Sequence, residues 1–257
     1  MKATNEASSW CRQAALFRSK QLIALILISL WLAFATAAQA LTIEYNIRSF
    51  GLNIATISIN SDPQQNFVAV QTKSLITNAL FPEINNCYRI DFNGAYLPQT
   101  YVREIDQKKV DDTVTVTYDH KNKRAGMNHR NPRKSYSYDI TSDTRDFFSF
   151  MTMVGFGKAR AGDYVIDGNG TLWKASLSYH GRETIKTALG NYSCRLYKVQ
   201  FEPLCDEKMQ YVDMVTHNVL NKASRVSLWI SDDGIAMRSV VRKNALSASW
   251  EIKEIRP

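Results

Sequence analysis

Cysteine is scarce, with four in 257 residues, and proline and glycine are modest at 6 and 11. A chain of this length can bury a core without covalent staples. Plentiful aromatics with so little proline and glycine also exclude a disordered tail. Catalytic signatures are missing as well: no G-x-S-x-G, no G-x-x-x-x-G-K-[ST] and no H-E-x-x-H occurs. Gly155-Phe156-Gly157 opens like a dinucleotide loop, but Arg160 stands where the third glycine belongs. Asp167, Asn169 and Thr171 open like a calcium loop, but Leu172 takes the glycine position and Ser178 the glutamate position. His120, His129, His180 and His217 show no metal-ligand spacing. Asp232-Asp233, followed by Gly234 between two apolar runs, reads as a hairpin turn rather than a carboxylate pair. No enzyme, cofactor or metal site is expected. No fixed repeat appears, which argues against solenoids and propellers, and no nucleic-acid module accompanies the positive charge.

What is present begins at the amino terminus. Arg12, Arg18 and Lys20 precede an apolar run from Leu22 to Ala35, closed by Ala38-Gln39-Ala40. That order of charge, grease and small residues reads as a secretory signal peptide, residues 1–40, cut after Ala40. The uncharged stretch is also long enough to span a bilayer. Its short strongly apolar part and alanine-rich flank favour cleavage. The mature part, residues 41–257, is read as a single periplasmic domain of mildly basic charge. In an exported protein such charge favours anionic lipid head groups or acidic glycans over nucleic acid. No cysteine stands in lipobox position. Cys11 leaves with the signal, so Cys87, Cys194 and Cys205 remain. An odd count allows one disulfide or none. If one forms, Cys194–Cys205 is the expected pair, being closest in sequence.

Strand signals dominate the mature part. Val110, Val114, Val116 and Tyr118 share one parity, and Thr113, Thr115 and Thr117 the other. Short β-branched or aromatic runs recur from Leu41 to Ile255, separated by Asn93-Gly94, Asp167-Gly168-Asn169-Gly170, Gly190-Asn191 and Asp232-Asp233-Gly234. Close strands joined by tight turns make an antiparallel meander. One segment departs from the pattern. With Asp143 able to cap and Gly155 or Gly157 able to stop, Phe147, Phe150, Met151 and Val154 fall on one helical face. This predicts an amphipathic helix packed across the concave side of a curved sheet. Leu75 to Leu80 is a weaker helix candidate.

Two sets of residues raise questions of binding. Trp173, Leu177 and Tyr179 share a strand face, and Trp250 lies on another with Ala248 and Ile252. Large aromatics usually fill cores. The sharper reading is that these four, with Phe147, Phe150, Met151 and Val154, line a cavity for an acyl chain, methionine suiting an adaptable wall. Between strand-like runs, Lys121, Lys123, Arg124, Arg130, Arg133 and Lys134 form a basic segment without an acid among them. It reads either as a solvated hairpin or loop or as a contact for anionic lipid head groups.

The residues also resemble a family of exported bacterial proteins catalogued as domain of unknown function 3108. Leu41-Thr42-Ile43-Glu44-Tyr45 with Gly51 and Ala55 to Ser58 is similar to that family's first hairpin. Gly181-Arg182-Glu183-Thr184-Ile185 with Gly190 to Cys194 resembles its central hairpin, and Leu228 to Asp233 with Arg238-Ser239-Val240 its closing strands. Residues Pro203 to Ala223 look like a local addition. The resemblance implies a strongly curved antiparallel half-barrel around a helix, like lipoprotein carriers of the periplasm. The functional expectation is a non-enzymatic envelope protein holding a lipid or lipoprotein acyl group. The alternative is an envelope assembly protein with a filled core, whose partners are other envelope proteins.

Overall fold

Alternating side chains demand strands with neighbours on both edges and one covered face. In the computed structural model, which describes residues 41–62, 64–78, 81–206 and 208–256, one fifteen-stranded sheet meets that demand. Its strands are β1 Leu41–Ser49, β2 Leu52–Asp62, β3 Phe67–Ser74, β4 Cys87–Phe92, β5 Pro98–Gln107, β6 Val110–Asp119, β7 Arg124–His129 and β8 Lys134–Asp139. They continue as β9 Arg145–Asp146, β10 Gly162–Gly168, β11 Thr171–Thr187, β12 Gly190–Pro203, β13 Ser224–Ile230, β14 Ala236–Lys243 and β15 Leu246–Arg256. Two helices interrupt them, α1 Phe147–Gly155 and α2 Met214–Val219. The expected signal segment, residues 1–40, lies outside the described residues.

In space the strands run from β8 down to β1, then from β15 down to β9. Neighbours are antiparallel, except that β9 lies parallel to β10. β1 is central: Thr42 faces Asn60 of β2 on one side and Arg256 of β15 on the other. The ribbon curls until its margins meet. Tyr118 of β6 and Tyr138 of β8 both donate to Asp167 Oδ2 on β10, at 2.8 and 2.6 Å. The turns and strand parity predict an antiparallel meander and the family resemblance implies a half-barrel; a mainly β curled sheet of that kind is what forms.

Inward parity supplies the core: Ile43, Ile57, Val70, Ile90, Val114 and Val116 from one half, and Ile166, Ala175, Leu177, Val199, Phe201 and Leu228 from the other. α1 runs within the curl rather than across its mouth, and Phe147, Phe148, Ser149, Phe150, Met153 and Val154 are all buried. A helix buried on most sides has little need of a polar face.

Several expectations change. α1 is capped by Asp146, whose carboxylate accepts from Phe148 N and Ser149 N, and not by Asp143. Pairing of Arg145 and Asp146 with Ile166 and Asp167 holds those residues extended and delays the helix. Leu75 to Asn78 is not helical, and residues 79–80 lie outside the described residues. Cys194 and Cys205 form no disulfide; Cys87, Cys194 and Cys205 are free thiols. Cys194 is buried opposite Glu183, and the strand from there to Pro203 carries Cys205 about 30 Å away. The basic segment holds β7, so its cations divide between two turns at opposite ends of that strand.

Candidate functional site

Along one side of α1 lies a half-open apolar cleft of about 100 Å³. Its floor comes from inward residues of central strands: Ile43 and Tyr45 of β1, Val68 and Val70 of β3, Leu228 and Ile230 of β13. α1 contributes Phe147, Phe148 and Met151, and Phe156 follows it. The half-buried rim includes Leu41, Ile59, Met151, Phe156, Ala236 and Trp250. The lining is almost wholly hydrocarbon, its hydroxyls coming from Tyr45, Ser61, Thr152 and Ser239. Such a wall binds by excluding water, with specificity set by shape.

The cleft's edge is fixed by a close backbone approach. Gly234, in the β13–β14 turn at φ 80°, lies so near the end of α1 that a Cβ there would stand 3.0 Å from Gly155 O and 3.3 Å from Phe156 Cα. Arg195 Nη2 donates to Ser231 O at 3.2 Å, bracing the same turn.

The other end of α1 meets buried polar groups. Asp146 is fully buried, and burial pushes its carboxyl up to about 6, against hydrogen bonds from Ser149 and Phe148 that favour the anion. Arg103, 1% exposed, donates to Asn169 and lies 3.4 Å from Asp213 Oδ2, its guanidinium over the Tyr101 ring. Asp213 accepts from Tyr88 and caps α2 through Thr216 N. Asn86 donates to Tyr88 and to Gln107, and Gln107 donates to Tyr211. These residues come from the segment before β4, from β4 and β5, from the β10–β11 turn and from the segment before α2. They fasten the two halves of the curl together. The abortive calcium loop is part of this clasp: Asp167 holds two tyrosines and Asn169 receives Arg103. Among the described residues no cluster of three or more His, Cys, Asp or Glu side chains is arranged to hold a metal ion.

Of the residues singled out from sequence, Phe147, Met151 and Trp250 line the cleft. Phe150 is buried against Tyr164 at 5.2 Å between ring centroids, and Val154, Trp173 and Leu177 also lie in packed core. Tyr179, paired with Tyr197 in unbroken register from Leu177, is 50% exposed, at the point where the packed interior of the curl ends and just before β11 bulges. Lys121, Lys123 and Arg124 sit at the β6–β7 turn, while Arg130, Arg133 and Lys134 sit at the β7–β8 turn. Strand directions place the first group at the end of the sheet where the cleft lies, and the second at the far end. Sequence parity missed Leu41, Ile59, Phe156 and Ala236, which become wall residues only through curvature.

The family described as "Protein of unknown function (DUF3108)" matches residues 42–245. No curated protein matches the chain. Among solved structures, a β-barrel-like protein of domain of unknown function DUF1849 from Brucella abortus superposes with a TM-score of 0.56 at 6% identity, covering 84% of this chain and 97% of that one. The hypothetical lipoprotein YmcC from Escherichia coli superposes with a TM-score of 0.34 at 12% identity, covering 86% of this chain and 87% of that one. At such identity the Brucella likeness is one of fold.

Proposed function

We propose that this chain, which belongs to the DUF3108 family of proteins of unknown function, is an exported, non-enzymatic envelope protein that takes a lipid tail or lipoprotein acyl group in the cleft beside α1. The observation that carries this reading is the cleft's lining, almost wholly hydrocarbon, with four hydroxyl residues and no carboxylate or imidazole in it. The signal-like order of residues 12–40 supports a periplasmic location. Lys121, Lys123 and Arg124, at the same end of the sheet, suit an anionic head group. Burial of hydrocarbon at about 25 cal/mol per Å² supplies the affinity. The cleft is smaller than the roughly 150 Å³ that accommodates benzene. A long chain therefore enters by displacing the half-buried Met151 and Phe156 side chains.

That small volume also favours a second reading, an assembly protein with a filled core and envelope proteins as partners. One experiment separates them. Purified protein is extracted for lipid mass spectrometry and titrated with bromine-labelled palmitic acid. The carrier reading expects bound lipid in the extract and saturable quenching of tryptophan emission, most of it lost in Trp250→Phe. An empty extract together with no quenching removes the carrier reading and leaves the assembly role.

A further inference from the structure

The end of the half-barrel away from the cleft carries a rim that folding alone does not explain. Phe50, Leu52, Leu75 and Leu246 are 69, 52, 54 and 57% exposed. They are neighbours. Ser49 pairs with both Leu52 and Ala248, and Leu75 N donates to Ile54 O. The β1–β2 turn, the start of β15 and the end of β3 thus share one level on adjoining strands. The turn itself is informative. Phe50 and Gly51 both have positive φ, 49° and 78°, a two-residue hairpin turn that strongly prefers Asn-Gly. A bulky aromatic at positive φ is an outlier. Here it is strained and faces solvent at once, a combination that points to a use outside the fold.

Charge identifies the occupant. Lys73, Arg225 and Arg242 flank the rim on the outer face of β3, β13 and β14, and Lys222 and Lys243 stand beside them. None of these five forms an ion pair among the described residues. Apolar tips ringed by cations without acidic partners match a bilayer with anionic head groups, which attract the cations while the tips enter the acyl boundary. We propose that this end of the protein docks on an anionic lipid surface through Phe50, Leu52, Leu75 and Leu246. The surface is separate from the cleft, whose lining includes none of these four residues, so the two can fail independently.

Residues 41–257 carry their own sheet and core and serve as the test protein, free of the apolar run before them. Co-sedimentation is measured with phosphatidylcholine vesicles and with vesicles containing phosphatidylglycerol. The wild type should bind the phosphatidylglycerol vesicles and lose them at high salt. Phe50→Asn with Leu246→Ser should weaken binding about tenfold or more, given the apolar surface withdrawn. Lys73→Gln with Arg242→Gln should weaken it only on phosphatidylglycerol. Unfolding midpoints should stay unchanged, since asparagine suits the turn. Absence of vesicle binding by the wild type, or undiminished binding by the Phe50/Leu246 variant, overturns the proposal. So does a wild-type dimer that this variant dissolves, which would make the rim a contact between copies.

Discussion

Asp146 serves two roles that pull its proton in opposite directions. As the cap of α1 it accepts two backbone hydrogen bonds, which favour the anion, and its burial favours the acid. Burial prevails: the carboxyl titrates near 6, above the ordinary 3.8. A folded-state pKa above the unfolded one means the contribution to stability is complete below about pH 4 and is lost as pH climbs through 6. The amount at stake is about 3 kcal/mol. Asp146→Asn keeps a good cap and removes the titration. Urea midpoints at pH 4, 5.5 and 7 should show the variant gaining over the wild type as pH rises, with no gain at pH 4. Equal pH profiles for the two proteins would refute the assignment.

At the level of elements, the contact between α1 and the β13–β14 turn depends on having no side chain at position 234. Gly234→Ala adds a Cβ at 3.0 Å from Gly155 O and does so at positive φ. It should cost about 1–3 kcal/mol, read as a lower denaturation midpoint, and it should alter the fatty-acid titration because the same turn borders the cleft. Local chemistry made such turns legible beforehand: Asn93 Oδ1 accepts from Ala95 N and Leu97 N within its own loop. Strand parity was legible for the same reason, as Val114, Val116 and Tyr118 all face inward. The start of α1 was not. Asp143 and Asp146 are both competent caps, and the choice rests on β9 pairing with β10, a contact about twenty residues distant in the chain. α2, only Met214–Val219, is too short and polar to show a periodicity, although Asp213 marks its cap. The cleft wall was half legible, because parity says which side chains point inward but curvature decides which of them border a void. Tyr179 keeps the parity of Leu177 yet is exposed, because parity does not say where along a strand the packed interior ends.

For the whole molecule, the clasp around Arg103 decides whether the ribbon stays curled. Its members run from Asn86 to Asp213 with no spacing that marks them in advance. Arg103→Met would strand the Asp213 carboxylate in the interior, and losing one partner of a buried ion pair typically costs about 3–5 kcal/mol. Chemical denaturation should show a loss of that order; a loss under about 1 kcal/mol would mean the clasp is incidental to closure. The strand order carries a different consequence. Residues 41–139 and 162–256 each form a run of antiparallel strands paired in chain order, and the backbone ladder uniting the two runs is made by β1 and β15. Topologically the polypeptide is a ring severed at its centre, with its outer margins joined by the short connection 140–144. The seam between β1 and β15 can therefore close only once β15, the last of the fifteen strands in chain order, has been made.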